Sequence, residues 1–493
     1  MRARLVSTLT FALAATLASG ARADGGYFSG AKGAHASGRG GAFTARADDV
    51  SAVSFNPAGL THLGTTVIQI GNRFSYNEHT YQRNPTLDWS QRGGAPPYVE
   101  FPLVRNKTPW QALDPFIGVA SNFGLEDWAS ALAAYSPAGT AREVYPTEGG
   151  QRYMMVRRNA QIIDYSLSAA WKFHDLFGVG ASLQWIAVPT LEYALVIDGG
   201  NGQANPVKST YDIRANVNGS DLFTLNAILG AWVRPTKNLE VGLSGQILPS
   251  QIETKSKLAV SWVKQPPGES AINLTRDKTP ADDVTLNLPL PMNVRLGARY
   301  RYLQGEHEVF DVELDGVYET WSKVKRFRVD SNQLVATYRG QPVSIGTIDV
   351  AKNWQDTVGI HLGGDYVLLQ KRATLRGGVY YETAVAPEGY SNIDFSDGPE
   401  LGGALGASVF FGKVEVALTT EYRAQTTVHI DDAQGRVYQA VPASGCLPPY
   451  TDITNCAAAS GATPYLGQPG PPINGGTYNA YSMVASLEGT YRF

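Results

Sequence analysis

The feature that most constrains this chain is a rhythm in its connections. From residue 65 onward there are about fourteen segments in which apolar and polar residues alternate, the mark of strands with one apolar face. The predicted strands are 65–75, 115–121, 127–135, 161–171, 176–187, 222–233, 238–248, 292–302, 308–319, 357–367, 373–382, 404–411, 414–424 and 480–493. Every second connection is short: Asn122 to Glu126, Lys172 to Asp175, Arg234 to Lys237, Leu303 to His307, Leu368 to Arg372, and Gly412-Lys413. The others, including 76–114, 188–221, 249–291, 320–356 and 425–479, are long and rich in Gly, Pro and Asn. Short periplasmic turns alternating with long extracellular loops are the pattern of a transmembrane β-barrel, and an even strand count puts both ends of the barrel on the periplasmic side.

The strand faces agree. In the last strand Tyr481, Met483, Ala485, Leu487, Tyr491 and Phe493 share one side, and Ser482, Ser486, Glu488, Thr490 and Arg492 share the other. Arg295, Arg299 and Arg301 on the eighth strand stand beside Asp311, Glu313 and Asp315 on the ninth. Facing lipid, each Arg would cost about 2–4 kcal/mol near the midplane. Facing a lumen, the opposite charges compensate one another.

Composition is consistent with this. Charged residues are 17% of the 493, below the roughly 25% of soluble domains, while Gly numbers 52. No apolar run reaches the roughly 18 residues of a spanning helix. A formal net charge of -3, mixed along the chain, gives no nucleic-acid footprint. Residues 1–23 read as a secretory signal: Arg2 and Arg4, an apolar stretch from Leu5 to Ala18, and Ala21-Arg22-Ala23 as the cleavage site. After export, Cys446 and Cys456 are expected to close a loop as a disulfide. No cofactor, metal or enzyme signature is present; there is no P-loop, no Gly-x-Ser-x-Gly and no His-Glu-x-x-His. His361, on a strand, reads as a lumen group.

Between the signal and the first strand lies a stretch rich in Gly and Ala, Ser37 to Leu60, ending Asn56-Pro57-Ala58-Gly59-Leu60. Such small residues suit a plug inside the barrel. The expected division is therefore 1–23 signal peptide, 24–62 hatch and 63–493 barrel. Gly38, Gly40 and Gly41 allow unusual backbone angles, Pro57 fixes its own φ, and Asn56 has a side chain that can bond to the wall or to local backbone.

This stretch resembles the hatch of FadL-type outer-membrane transporters, through Gly38-Arg39-Gly40, Ala47-Asp48-Asp49 and Asn56-Pro57-Ala58. Further similar segments are Tyr135 to Gly139, Leu288 to Pro291, Tyr318 to Ser322, Trp354 to Gly359 and Leu375 to Val379. The resemblance implies a fourteen-stranded barrel with an N-terminal plug in the bacterial outer membrane, among lipid and lipopolysaccharide; a closed barrel needs no partner to cover strand edges, so a monomer is expected. It implies uptake of long-chain fatty acids or other hydrophobic compounds such as aromatic hydrocarbons. Ligand would be captured among the extracellular loops, the hatch would rearrange, and exit into the bilayer would be lateral, at a kink in the third strand near Trp128 to Tyr135. The Pro that the family often has in the fourth strand is missing from Asp164-Tyr165-Ser166-Leu167-Ser168. The basic groups that meet a fatty carboxylate carry no motif that aligns here. Arg157, Arg158, Lys323 and Lys352 are candidates because they lie near predicted extracellular strand ends. Apolar loop material, Trp185 to Pro189 and Ala259 to Val263, either packs locally or captures an apolar ligand. A general porin and a loop-based receptor or adhesin are the other readings of a barrel with long loops.

Overall fold

The computed structural model describes residues 32–87, 97–136, 142–198, 206–338, 341–345, 347–368, 372–395, 398–439 and 472–493. The signal peptide and the Cys446–Cys456 disulfide fall outside these residues.

Fourteen antiparallel strands form one closed ring. They are β1 (Val67–Arg83), β2 (Pro115–Ser121), β3 (Trp128–Tyr135), β4 (Arg157–Phe173), β5 (Phe177–Asp198), β6 (Asp212–Thr236) and β7 (Leu239–Gln246, resuming at Gln251–Trp262). Then come β8 (Asp283–Pro289, resuming at Asn293–Gln304), β9 (His307–Glu319, resuming at Arg326–Asp330) and β10 (Ile348–Ala351, resuming at Thr357–Leu368). The last are β11 (Ala373–Glu382), β12 (Glu400–Phe411), β13 (Val414–Gln425) and β14 (Gly476–Arg492). β1 pairs with β14 from Val67↔Arg492 to Arg83↔Gly476, and with β2 on its other side, so no edge is left to template association.

The alternation read from the sequence sets the faces. On β14, Met483, Leu487, Tyr491 and Phe493 are exposed outward, while Ser482, Ser486, Glu488 and Thr490 are buried. On β8, Leu296 and Tyr300 point outward and Arg299 inward. A polar outward face would leave charges in hydrocarbon, so register is fixed strongly here.

The strands run further than the alternation indicated. Residues 188–221, expected as a loop, are largely the outer ends of β5 and β6, which stay paired as far as Asp198↔Asp212. Loop 249–291 likewise contains outer segments of β7 and β8. The outer segment of β7 keeps strict alternation, with Ile252, Thr254, Ser256 and Leu258 buried and Glu253, Lys255 and Lys257 exposed. The outer end of β5 is instead buried on both faces, its Val188, Leu191 and Leu195 in an apolar cluster with Ala215, Val217, Leu286, Trp321, Phe327 and Trp354. A strand covered on both faces loses period two and reads as an apolar run. These ends make a packed cap over the end of the ring that carries the long connections.

Candidate functional site

The candidate side chains fall in two regions: the N-terminal segment and a cavity in the cap. Among its described residues, the segment folds as two short helices, α1 (Ala34–Gly38) and α2 (Ala52–Phe55), followed by a 3-10 turn, Pro57–His62. Its α1 touches β11 to β14, and its 3-10 turn touches β3 to β6. It therefore spans the inside of the ring between opposite arcs of the wall.

Arg39 is its central anchor. Fully buried, it donates through Nη1 to Asp311 Oδ1 (2.9 Å) and Asp365 Oδ1 (2.7 Å), and through Nη2 to Glu313 Oε2 (2.9 Å). The backbone amides of Phe43 and Thr44 donate to Asp315, and that of Ala45 to Glu313. The acidic row on β9 thus holds this segment as much as it holds the neighbouring strand. Arg299 pairs with Asp311 as the charge pattern implied, at 2.5 Å. Arg295 instead lies over the ring of Phe55.

Asn56 bonds in both of the ways its sequence position allowed. Its Oδ1 accepts from Ala58 N, and its Nδ2 donates to Thr44 O (2.8 Å) and to Ala231 O on β6 (3.0 Å). Pro57 opens the 3-10 turn, where a missing N–H leaves no bond unmade. The wall is relieved of side chains to admit this backbone: a Cβ on Gly230 would stand 2.1 Å from Asn56 Oδ1. Gly40 has φ +62, while Gly38 ends α1 and serves close approach to Gly406. His361 is a lumen group, bonded to Gly40 O.

The cap holds a cavity of about 50 Å³, lined by Ala160, Leu191, Val217, Leu286, Phe327 and Phe395 among others. Two of the four basic candidates meet it. Arg158 lines it, lies over the Phe395 ring and donates to Glu143 Oε1 (3.0 Å) and Asp394 O. Lys352 is buried beside it among Phe327, Trp354 and Phe395, its Nζ 2.5 Å from both Asp394 oxygens. The other two lie elsewhere. Arg157 pairs with Glu192 (2.7 Å) in a more open position, and Lys323 points Nζ at Met292 Sδ. The apolar stretch expected at a loop root, Trp185 to Pro189, continues its strand, and the one expected inside a loop, Ala259 to Val263, is strand as far as Trp262. In the first, Trp185 faces outward with Tyr165 and Phe223, while Ile186 and Val188 face the cap core.

Glu143 and Asp394, which neutralise the two buried cations, and the Trp321–Trp354 pair (centroids 5.3 Å apart) were not singled out from the sequence as site residues. The tryptophans lie in two segments noted only for resemblance, Tyr318 to Ser322 and Trp354 to Gly359. An isolated Trp in a polar loop was the available signal.

Residues 14–441 match the family model for outer membrane protein transport proteins, OMPP1/FadL/TodX. The chain belongs to this family. A FadL homologue from Pseudomonas aeruginosa has a similar structure, with a TM-score of 0.70 at 17% identity, covering 95% of this chain and 100% of its own. The toluene transporter TodX of P. putida scores 0.60 at 13% identity, covering 94% and 99%. The CymD monoaromatic hydrocarbon channel scores 0.58 at 14%, covering 94% and 98%. No curated protein sequence matches. At these identities the solved structures establish the fold, while the family model places the chain among outer-membrane transport proteins rather than enzymes. The FadL/TodX barrel sits in the outer membrane with its strands crossing the bilayer.

Proposed function

We propose that this protein carries hydrophobic compounds inward across the outer membrane, and that the cap cavity is its capture site. The observation that carries this reading is an apolar cavity whose nearby cations already have carboxylate partners. A fatty carboxylate would have to displace Asp394 from Lys352 or Glu143 from Arg158, losing a buried pair. A neutral hydrocarbon gains about 25 cal/mol per Å² of apolar surface removed from water and disturbs neither pair. Within the wider reading, long-chain fatty acids or other hydrophobic compounds, the geometry thus favours neutral ligands.

From the cap the ligand passes to the N-terminal segment, which acts as a hatch. Arg39, Asn56, Pro57 and Ala58 anchor it, and Gly40 and Gly41, both at positive φ, permit it to change shape. Exit is lateral, at β3. Among the described residues, β3–β4 pairing runs to Tyr135↔Asp164 and resumes only at Glu143↔Arg158. A cavity beside Tyr135 and Ser136 reaches Lys32 and Gly33 of the segment. Lateral release spares an apolar ligand the aqueous step that a water-filled pore imposes.

Liposome swelling separates this from a general porin. Intact protein should admit small sugars no faster than empty liposomes, and fast swelling would refute hydrophobic transport. Deleting residues 24–60 separates it from an adhesin: a hatched transporter should leak or lose controlled uptake, whereas an adhesin would keep partner binding and nothing else would change.

A further inference from the structure

One cluster in the lumen is not explained by the anchoring described above. His35 on α1, Asp49 in the turn before α2 and Glu488 on β14 are all buried. Each offers one donor atom, and the three atoms lie within 4.8 Å of one another. His35 Nε2 is 2.7 Å from Glu415 Oε1 on β13. With the Nε2 proton given to that carboxylate, Nδ1 carries the imidazole lone pair. That lone pair faces Asp49 Oδ2 at 3.4 Å. His35 Nδ1, Asp49 Oδ2 and Glu488 Oε1 are each buried without a hydrogen-bond partner, whereas the second oxygen of each carboxylate is bonded, Asp49 Oδ1 to Ser51 and Glu488 Oε2 to Ala34 N.

We propose that His35, Asp49 and Glu488 form a divalent transition-metal site, with Zn2+ the best match, that fastens the N-terminal segment to the strand closing the barrel. One imidazole and two carboxylates are a donor set zinc accepts, at about 2.0–2.2 Å. Two like charges buried together are unfavourable, and a dication neutralises both. Glu415 takes the place of the outer carboxylate that orients a metal-bound histidine. The remaining donors that secure the loop, Ser51 to Asp49 and Val50 N to Gln69 Oε1, hold Asp49 in position. Glu488 stands opposite Gly71 in the β1–β14 seam, so the ion would join hatch and seam in one place. This assignment does not depend on which ligand the protein carries.

The test uses the full mature chain without a histidine tag, purified in detergent, stripped with chelator, incubated with Zn2+ and desalted. Wild type should retain about one equivalent of zinc by elemental analysis, and zinc should slow hydrogen exchange across residues 32–62. His35→Gln and Glu488→Gln should retain at least tenfold less, with folding checked by heat-modifiable migration. Glu415→Gln, which leaves the three donors in place, should weaken zinc about 10–100-fold. If wild type retains no zinc, or if His35→Gln retains as much as wild type, the assignment is wrong. In the first case His35 is an imidazolium lying between Asp49 and Glu415.

Discussion

Arg39 donates to Glu313 at 2.9 Å, with neither side chain exposed to solvent. One residue of a mobile-looking Gly-rich stretch is thereby tied to the acidic row of β9. Removing one partner of such a pair strands the other in a buried site, at about 3–5 kcal/mol. Arg39→Leu should loosen the segment without opening the barrel. Limited proteolysis and hydrogen exchange should show residues 32–62 exposed while heat-modifiable migration of the barrel is retained. Unchanged protection would mean that the backbone contacts alone hold it.

The contact between Asn56 and the wall is tight enough to probe from the wall side. Gly230→Ala places a Cβ 2.1 Å from Asn56 Oδ1 and 2.8 Å from Pro57 Cδ. The 3-10 turn must then shift, losing bonds worth about 1 kcal/mol each. Asn56→Ala removes the same bonds without a clash. Both variants should raise single-channel conductance in planar bilayers, and Gly230→Ala should do so at least as strongly.

Lys352 and Asp394 test the electrostatics of the cap. Lys352→Met leaves Asp394 buried and without its ammonium partner, and should destabilise the cap by about 3–5 kcal/mol. Lys352→Met with Asp394→Leu should recover most of that loss. The readout is a thermal transition of cap tryptophan fluorescence, from Trp321 and Trp354. Equal loss in the single and double variants would show that packing and not charge governs this corner.

Glu143 predicts a pH dependence. Burial alone would raise its carboxyl, but the neighbouring charges of His79 and Arg158 outweigh burial and hold it down to about 2. A carboxylate whose folded value lies below its unfolded value, about 4.3, adds stability above that value. The contribution is lost as pH falls from about 4.5 towards 2. Glu143→Gln should remove this acid-sensitive part of the cap transition, measured between pH 6 and pH 3. A wild-type transition flat over that window would contradict the pairing.

How far these sites were readable differs by region. Turns such as Gly412-Lys413 and faces such as that of β14 were legible because lipid on one side enforces strict alternation. That the arginines of β8 and the acids of β9 share the inner face was legible for the same reason, but not which of them pair: Arg299 takes Asp311, and Arg295 takes Phe55. The cap was not. Around Leu191 and Leu195 the strand is buried on both faces, so its period disappears and the segment reads as loop, whereas the alternation around Ile252 and Leu286 survives but lies within a stretch rich in Gly, Pro and Asn. Asp394 and Lys352 are 42 residues apart in sequence and come together only through packing. His35, Asp49 and Glu488 are drawn from both ends of the chain and leave no spacing signal. Asn56 was legible as a side chain able to bond wall or local backbone, whereas Arg39 stood out only through resemblance; their partners, Asp311, Glu313, Asp365 and Ala231, follow from where the segment lies.

The most direct test of hydrophobic transport through the cap is uptake of radiolabelled toluene, at low aqueous concentration, by cells expressing wild type or Ala160→Trp. Ala160 lines the cap cavity, and an indole there fills it. Saturable uptake above cells lacking the protein is expected, reduced at least tenfold in Ala160→Trp, with oleate uptake weaker than toluene uptake. Uptake no greater than in cells lacking the protein, or equal uptake by wild type and Ala160→Trp, would contradict transport through the cap.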